Sequence, residues 1–273
     1  MFMNLNRLSM MAASCAVLLG ALPAQAGYKE NLIQSDSKWD VMLGITAATI
    51  AEYPGAEDQE FIVLPAAVID FEFREKNYLF INTLRDSGAE HMKGLGYEYN
   101  GDRIVWGVKS GWRSGRDEGD SEKLVGMGNL DSTFTAGFYG GFNFGPVRLL
   151  AEYDAGLDNN NDGVLTTFSA RYNMASVDKP MSGYIMGKVV YGDDAYQDAY
   201  FGVDTPIAGR PTYEAEAGFV KFGVQGGVDY MLADHHYFRL DANYMSLSND
   251  VTNSPIVEEN YDFGAYLSYG YKF

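Results

Sequence analysis

Downstream of residue 27 the apolar positions recur every second residue. That period puts them on one face of extended strands, whereas a helix would space them about 3.6 residues apart. Val41, Leu43, Ile45 and Ala47 share a face between Asp40 and Ala51. Ile69, Phe71 and Phe73 face one way, and Asp70, Glu72 and Arg74 the other. Ile104, Trp106 and Val108 alternate with Arg103, Val105 and Gly107. Leu130, Ser132, Phe134, Ala136 and Phe138 make a further face, and Val164, Thr166, Phe168, Ala170 and Tyr172 another. Phe238, Leu240, Ala242 and Tyr244 oppose Tyr237, Arg239, Asp241 and Asn243. In the last segment Ala265, Leu267, Tyr269, Tyr271 and Phe273 lie on one side.

The connections predicted between these strands are unequal. Short ones fall at 75–77, 100–101, 143–146, 176–180 and 233–235, and long, Gly- and acid-rich ones near 52–60, 85–94, 112–129, 157–163, 192–212 and 248–258. Asn100-Gly101 is the strongest tight-turn signal, because both central residues of such a hairpin turn need positive φ. Long and short connections alternate, which is the parity of an up-and-down barrel with short periplasmic turns and longer extracellular loops. The count predicts about twelve strands, an even number that brings both ends of the barrel to the periplasmic side.

Composition narrows the choice. The mean hydropathy is −0.19, and no apolar run beyond residue 26 is long enough for a spanning helix. A membrane residence therefore requires a closed sheet. A soluble sandwich or lipocalin-like barrel shares the alternation. Against it stand aromatic residues at the strand ends, charge or Gly on the opposite face, and the final Tyr269/Tyr271/Phe273 pattern. That pattern resembles the signal read by the barrel insertion machinery. The expected fold class is thus all-β, a transmembrane antiparallel up-and-down β-barrel. The net charge of −17 argues against nucleic acid as a partner. Arg7, the apolar run from Met10 to Leu22 and Ala24-Gln25-Ala26 read as a signal peptide over 1–26, cleaved after Ala26. The barrel would occupy 27–273, without its single cysteine, in the cell outer membrane among lipid and lipopolysaccharide.

Candidate chemistry is sparse. Asp158 to Gly163 fits the first half of a Ca²⁺ loop, but position twelve is Ser169 rather than a bidentate Glu. His91, His235 and His236 fall in connections with no Ser at nucleophile spacing. The run Arg113 to Lys123 mixes both signs and reads as a solvated loop, with contact to lipopolysaccharide phosphates as the alternative. No catalytic, metal or cofactor site is expected. Asp70, Glu72, Arg74, Arg239 and Asp241 are candidate lumen charges, because an Arg facing mid-bilayer lipid costs about 2–4 kcal/mol. They would either pair across the interior or line a narrow pore.

Several ordered segments resemble the MipA/OmpV family of MltA-interacting outer-membrane proteins. They are Tyr53-Pro54-Gly55, Pro65, Gly94-Leu95-Gly96-Tyr97, Gly115-Arg116 and Gly126-Met127-Gly128-Asn129-Leu130-Asp131. Tyr191 with Tyr200-Phe201-Gly202-Val203, then Ser254-Pro255-Ile256-Val257 and Tyr271-Lys272-Phe273, complete the order. Arg210-Pro211 departs from the pattern, where a small-residue segment is expected. The resemblance implies a non-catalytic scaffold that links a murein hydrolase, a lytic transglycosylase, to a murein synthase at the outer membrane. The alternatives are a small-solute channel or binding barrel, and an adhesin acting through its outer loops.

Overall fold

The computed structural model describes residues 38–84, 93–157, 163–174, 180–204 and 210–273. The signal segment with Ala24 and Ala26, His91 and most of the Asp158–Gly163 loop lie outside these residues. Twelve antiparallel strands close into a barrel. They are β1 (Trp39–Ala51), β2 (Gln59–Arg74), β3 (Asn77–Asn82), β4 (Gly94–Asn100), β5 (Ile104–Arg113) and β6 (Thr133–Phe144). Then follow β7 (Val147–Gly156), β8 (Val164–Asn173), β9 (Met181–Gly192), β10 (Gly218–Leu232), β11 (His236–Leu247) and β12 (Tyr261–Lys272). Each strand pairs with its neighbours in sequence, and β1 closes on β12 from Met42↔Lys272 to Ile50↔Gly264.

The period-two pattern explains which side faces where. Leu43, Ile45, Phe138, Val224, Leu240 and Leu267 are exposed on the outer wall, and Met42, Ala48, Tyr139, Tyr184 and Tyr266 are buried inside. An apolar surface of this extent is stable in lipid and a liability in water. Aromatic pairs mark both borders of the belt. Trp39 stacks on Phe71 at 4.3 Å on the short-turn side, and Trp112 meets Phe134 edge-on at 4.6 Å on the long-loop side.

Three local expectations change. The 100–105 turn is displaced: Asn100 stays in β4, and the chain bends at Asp102-Arg103 with Gly101 N donating to Ile104 O. Asn100 is held there because its Oδ1 accepts from Arg148 Nη2 at 2.9 Å. Among the described non-glycine residues positive φ occurs instead at Lys76, Ala233 and Asp234, the last two in the three-residue connection between Leu232 and His236. Leu130 and Ser132 do not extend the Phe134 face, since β6 begins at Thr133 and Leu130 pairs with Arg116 in an isolated bridge. Finally, the 192–212 connection carries a helix, α1 (Asp194–Phe201), and 248–258 carries a single turn, α2 (Asn249–Thr252). Asp193 caps α1 by accepting from Tyr196 N at 2.9 Å. Two turns of helix are too short for a helical period to stand out in the sequence, and α1 is held by burying Tyr196, Gln197, Tyr200 and Phe201.

Candidate functional site

The interior of the barrel is the candidate site, and it is built in three layers. On the periplasmic side the lumen is filled. Arg239, 2% exposed, sits directly opposite Asp229 in the β10–β11 ladder. Its Nη1 lies 3.3 Å from Asp229 Oδ1, and its Nε donates to Asp241 Oδ2. Tyr237 OH donates to Asp229 and Tyr184 OH to Asp241. Gln225 Nε2 donates to Tyr184 OH at 3.0 Å, and the Arg171 guanidinium lies 4.1 Å over the Tyr184 ring. A second knot joins Tyr139 OH to Glu98 at 2.9 Å, and a third runs from Arg148 to Asn143 and Asn100 at 2.9 Å. Each charge taken from water thus keeps opposite charge or hydrogen bonds around it.

Two glycines make this filling possible. A Cβ on Gly227 would stand 2.3 Å from Asp241 Oδ1 and 2.5 Å from Tyr184, and one on Gly107 would stand 2.4 Å from Tyr139. The absent side chains are the space that the inward tyrosines occupy.

Above the plug lies a chamber of about 400 Å³. Lys109 donates to Glu152 and lies 3.4 Å from Asp154, which Arg113 also contacts at 3.3 Å. Lys221 of β10 pairs with Asp262 of β12 at 2.9 Å, over the strand β11 that lies between them. Tyr196 and Tyr200 of α1 form part of the lining.

The third layer is a roof made by the long loops. Tyr53, Ala56, Leu124, Val203 and Ile256 form one apolar core, and Leu130, Tyr196, Tyr200, Phe201, Val220 and Val251 belong to another. Tyr53 OH donates to Ile256 O at 3.0 Å and to Glu258 at 2.9 Å. Burial pushes the Tyr53 phenol well up, so it acts as a neutral donor. Arg116 is buried, donates to Gly128 O and Ala199 O, and has its pKa lowered by desolvation. Arg113 donates to Gly163 O at 2.6 Å. Both arginines of the Arg113–Lys123 run therefore turn into the protein, away from an outer phosphate surface. Arg210, the departure from the family pattern, donates to the carbonyls of Glu122, Lys123 and Val125 and fastens that turn.

The residues singled out from sequence separate into two places. Arg239 and Asp241 meet in the plug. Asp70 faces inward opposite Asp40, Glu72 closes the β2–β3 turn by accepting from Lys76 N at 2.8 Å, and Arg74 is exposed at the strand end. Sequence reasoning missed Asp229, Tyr184, Lys109, Glu152 and Asp154. Asp229 was within reach, because the 233–235 turn fixes the register that sets it against Arg239. His235 Nδ1 lies 3.0 Å from Lys272 O and its ring stacks on Tyr271, while His236 Nδ1 meets Tyr269 OH at 2.9 Å. Both histidines belong to the periplasmic aromatic border.

Among known proteins, residues 43–273 match the family described as MltA-interacting protein MipA. YiaT of Escherichia coli (strain K12), described as an outer membrane protein, is 27% identical over 153 residues. That stretch covers 54% of this chain and 59% of YiaT, so the chain spans about six-tenths of this relative's length. Solved barrels overlap loosely. Neisserial surface protein A is 12% identical with a TM-score of 0.24, covering 88% of this chain and 98% of that one. The Salmonella typhi OmpF complex with daunomycin is 11% identical with a TM-score of 0.38, covering 86% and 97%. The barrel itself is established by the closed ladder of this chain.

Proposed function

The chain belongs to the MltA-interacting protein MipA family and resides in the outer membrane as a closed twelve-stranded barrel, and from that premise we propose that it is a non-catalytic scaffold. It holds a lytic transglycosylase and a murein synthase against the inner surface of the outer membrane. The supporting observation is the occupied interior. The Arg239–Asp229–Asp241 knot fills the periplasmic half and the loop cores roof the other, so the molecule is built as a rigid body rather than a conduit. Its periplasmic face is a set of short turns, two of which are tied by Lys76 and Asp102 at 2.9 Å. A rigid base with pre-ordered turns loses little entropy when a partner docks.

The test is capture. The detergent-purified barrel should retain a purified lytic transglycosylase and murein synthase together, and should lose them when the turns at 101–103 and 233–235 are replaced by Gly-Ser segments of equal length. Failure to retain either enzyme overturns the reading. The chamber favours a second reading, a small-solute-binding barrel. That reading expects a solute-dependent rise in melting temperature, abolished by Lys109→Met.

A further inference from the structure

One corner of the lumen chamber is built from β10, β11, β12 and α1, across the barrel from β3 and β4. The residues that form it fall within 180–204 and 210–273, both described throughout. Asn243 makes the floor. It lies inward on β11, in register with Gln225 of the plug. Lys221 and Asp262 make the wall, joined at 2.9 Å. Tyr196 of α1 closes the corner from the roof side.

Two of these groups are unspent. Among the described residues, neither the Tyr196 hydroxyl nor the Asn243 side-chain amide makes a hydrogen bond. Tyr196 is only 6% exposed. Its ring stacks on Tyr200 at 4.5 Å and lies under the Arg113 guanidinium at 5.3 Å, so the ring is fixed while the hydroxyl is left over. A buried polar group left unmet costs about 1–3 kcal/mol, which makes such a group a pointer to something that meets it. Burial also pushes the phenol well above its ordinary value, so it stays protonated and can both donate and accept. The Asn243 amide likewise offers both roles.

The wall, by contrast, is finished in charge. Asp262 accepts from Lys221 Nζ and from Gly55 N, both at 2.9 Å. Lys221 keeps 29% of its side chain open, so the pair still presents a donor and an acceptor. An entering ion would give up its hydration to a wall of no net charge. An apolar molecule would leave Tyr196 and Asn243 unmet. A hydroxyl donates and accepts at one atom and suits all three. The chamber of about 400 Å³ has the volume of roughly a dozen waters, which is room for a single pyranose.

We propose that this corner binds a small neutral polyhydroxylated solute of monosaccharide size through the Tyr196 hydroxyl, the Asn243 amide and the Lys221–Asp262 pair. The proposal rests on the solute-binding reading of the chamber and names the class of solute.

The test is equilibrium dialysis of the full barrel in detergent. The probes are radiolabelled D-glucose, D-galactose and D-mannose, beside glucuronate and glucosamine, which put a charge on the same ring. At least one neutral hexose should bind saturably, one per barrel, and roughly tenfold or more tighter than either charged sugar. Tyr196→Phe deletes the hydroxyl and no existing bond. It should weaken that binding roughly fivefold or more and leave the melting temperature unchanged. Asn243→Ala acts from the floor in the same way and serves if the first variant does not fold. Equal binding of the charged sugars, or undiminished binding by the folded variant, overturns the proposal. Saturable binding of glycine, succinate or choline, with none of the hexoses, overturns it and leaves the solute-binding reading standing. If none of these solutes binds, both fall.

Discussion

At the scale of single residues the plug is the most exacting part of the molecule. Arg239 pairs with both Asp229 and Asp241. Replacing it with Ala strands two carboxylates in the wall, and the expected loss is about 3–5 kcal/mol. The triple change Arg239→Met, Asp229→Asn, Asp241→Asn removes the charges together and should recover most of that loss. Urea unfolding from lipid vesicles measures both. Gly227→Val drives atoms into Tyr184 and Asp241, and overpacking of this kind costs about 1–3 kcal/mol. The same vesicle assay should show it, with little effect from Gly226→Val, where the nearest atom to a Cβ is 3.4 Å away. Arg239 and Asp241 were visible as inward candidates because a charge cannot face lipid. Of their partners only Asp229 was within reach, through the 233–235 turn; Tyr184 was not, because alternation says which face a residue takes and not which neighbour it meets there.

At the scale of elements the strands were legible and the roof was not. A strand in a barrel writes its environment into alternate positions, so the outer faces of β1, β5 and β12 follow directly from Leu43, Trp106 and Tyr269. The roof is held by contacts between distant loops, as Leu124 packed with Tyr53 and Ile256 shows. Such packing leaves no period in the sequence. The family-like segments around Tyr53, Leu130, Phe201 and Ile256 nevertheless converge on it. Two outcomes follow at this scale. Asp193→Ala removes the cap of α1, should cost about 0.5–2 kcal/mol of local stability, and should expose the β9–β10 connection to protease. The Glu52 carboxyl titrates above its ordinary value of 4.5 in the folded protein. The folded state therefore holds more protons than the unfolded chain just above that pH, and roof stability falls as pH rises through this window. Proteolysis of the β1–β2 loop should accelerate as the pH is raised from 4.5, and Glu52→Gln should flatten the dependence.

At the scale of the whole molecule the filled lumen predicts electrical silence. Reconstitution into planar bilayers should give no steady conductance, whereas Arg239→Ala combined with Tyr184→Ala should produce one. The export segment is expected to be absent from the mature protein, and N-terminal sequencing of the outer-membrane form should begin at Gly27. The Tyr269/Tyr271/Phe273 face points outward at the end of β12, with Phe273 70% exposed. We propose it as the insertion signal, and Phe273→Gln should lower the yield of folded barrel in cells without changing the stability of what does fold.

Among the described strands, every pairing but one joins neighbours along the chain. The exception is the seam, where Met42 meets Lys272 and Ile50 meets Gly264. The polypeptide can zip hairpin by hairpin, yet it stays an open ribbon with two sticky margins until its last dozen residues arrive. A chain cut short before β12 would keep the margin of β1 unpaired, and such a margin is a template for other copies of the same chain.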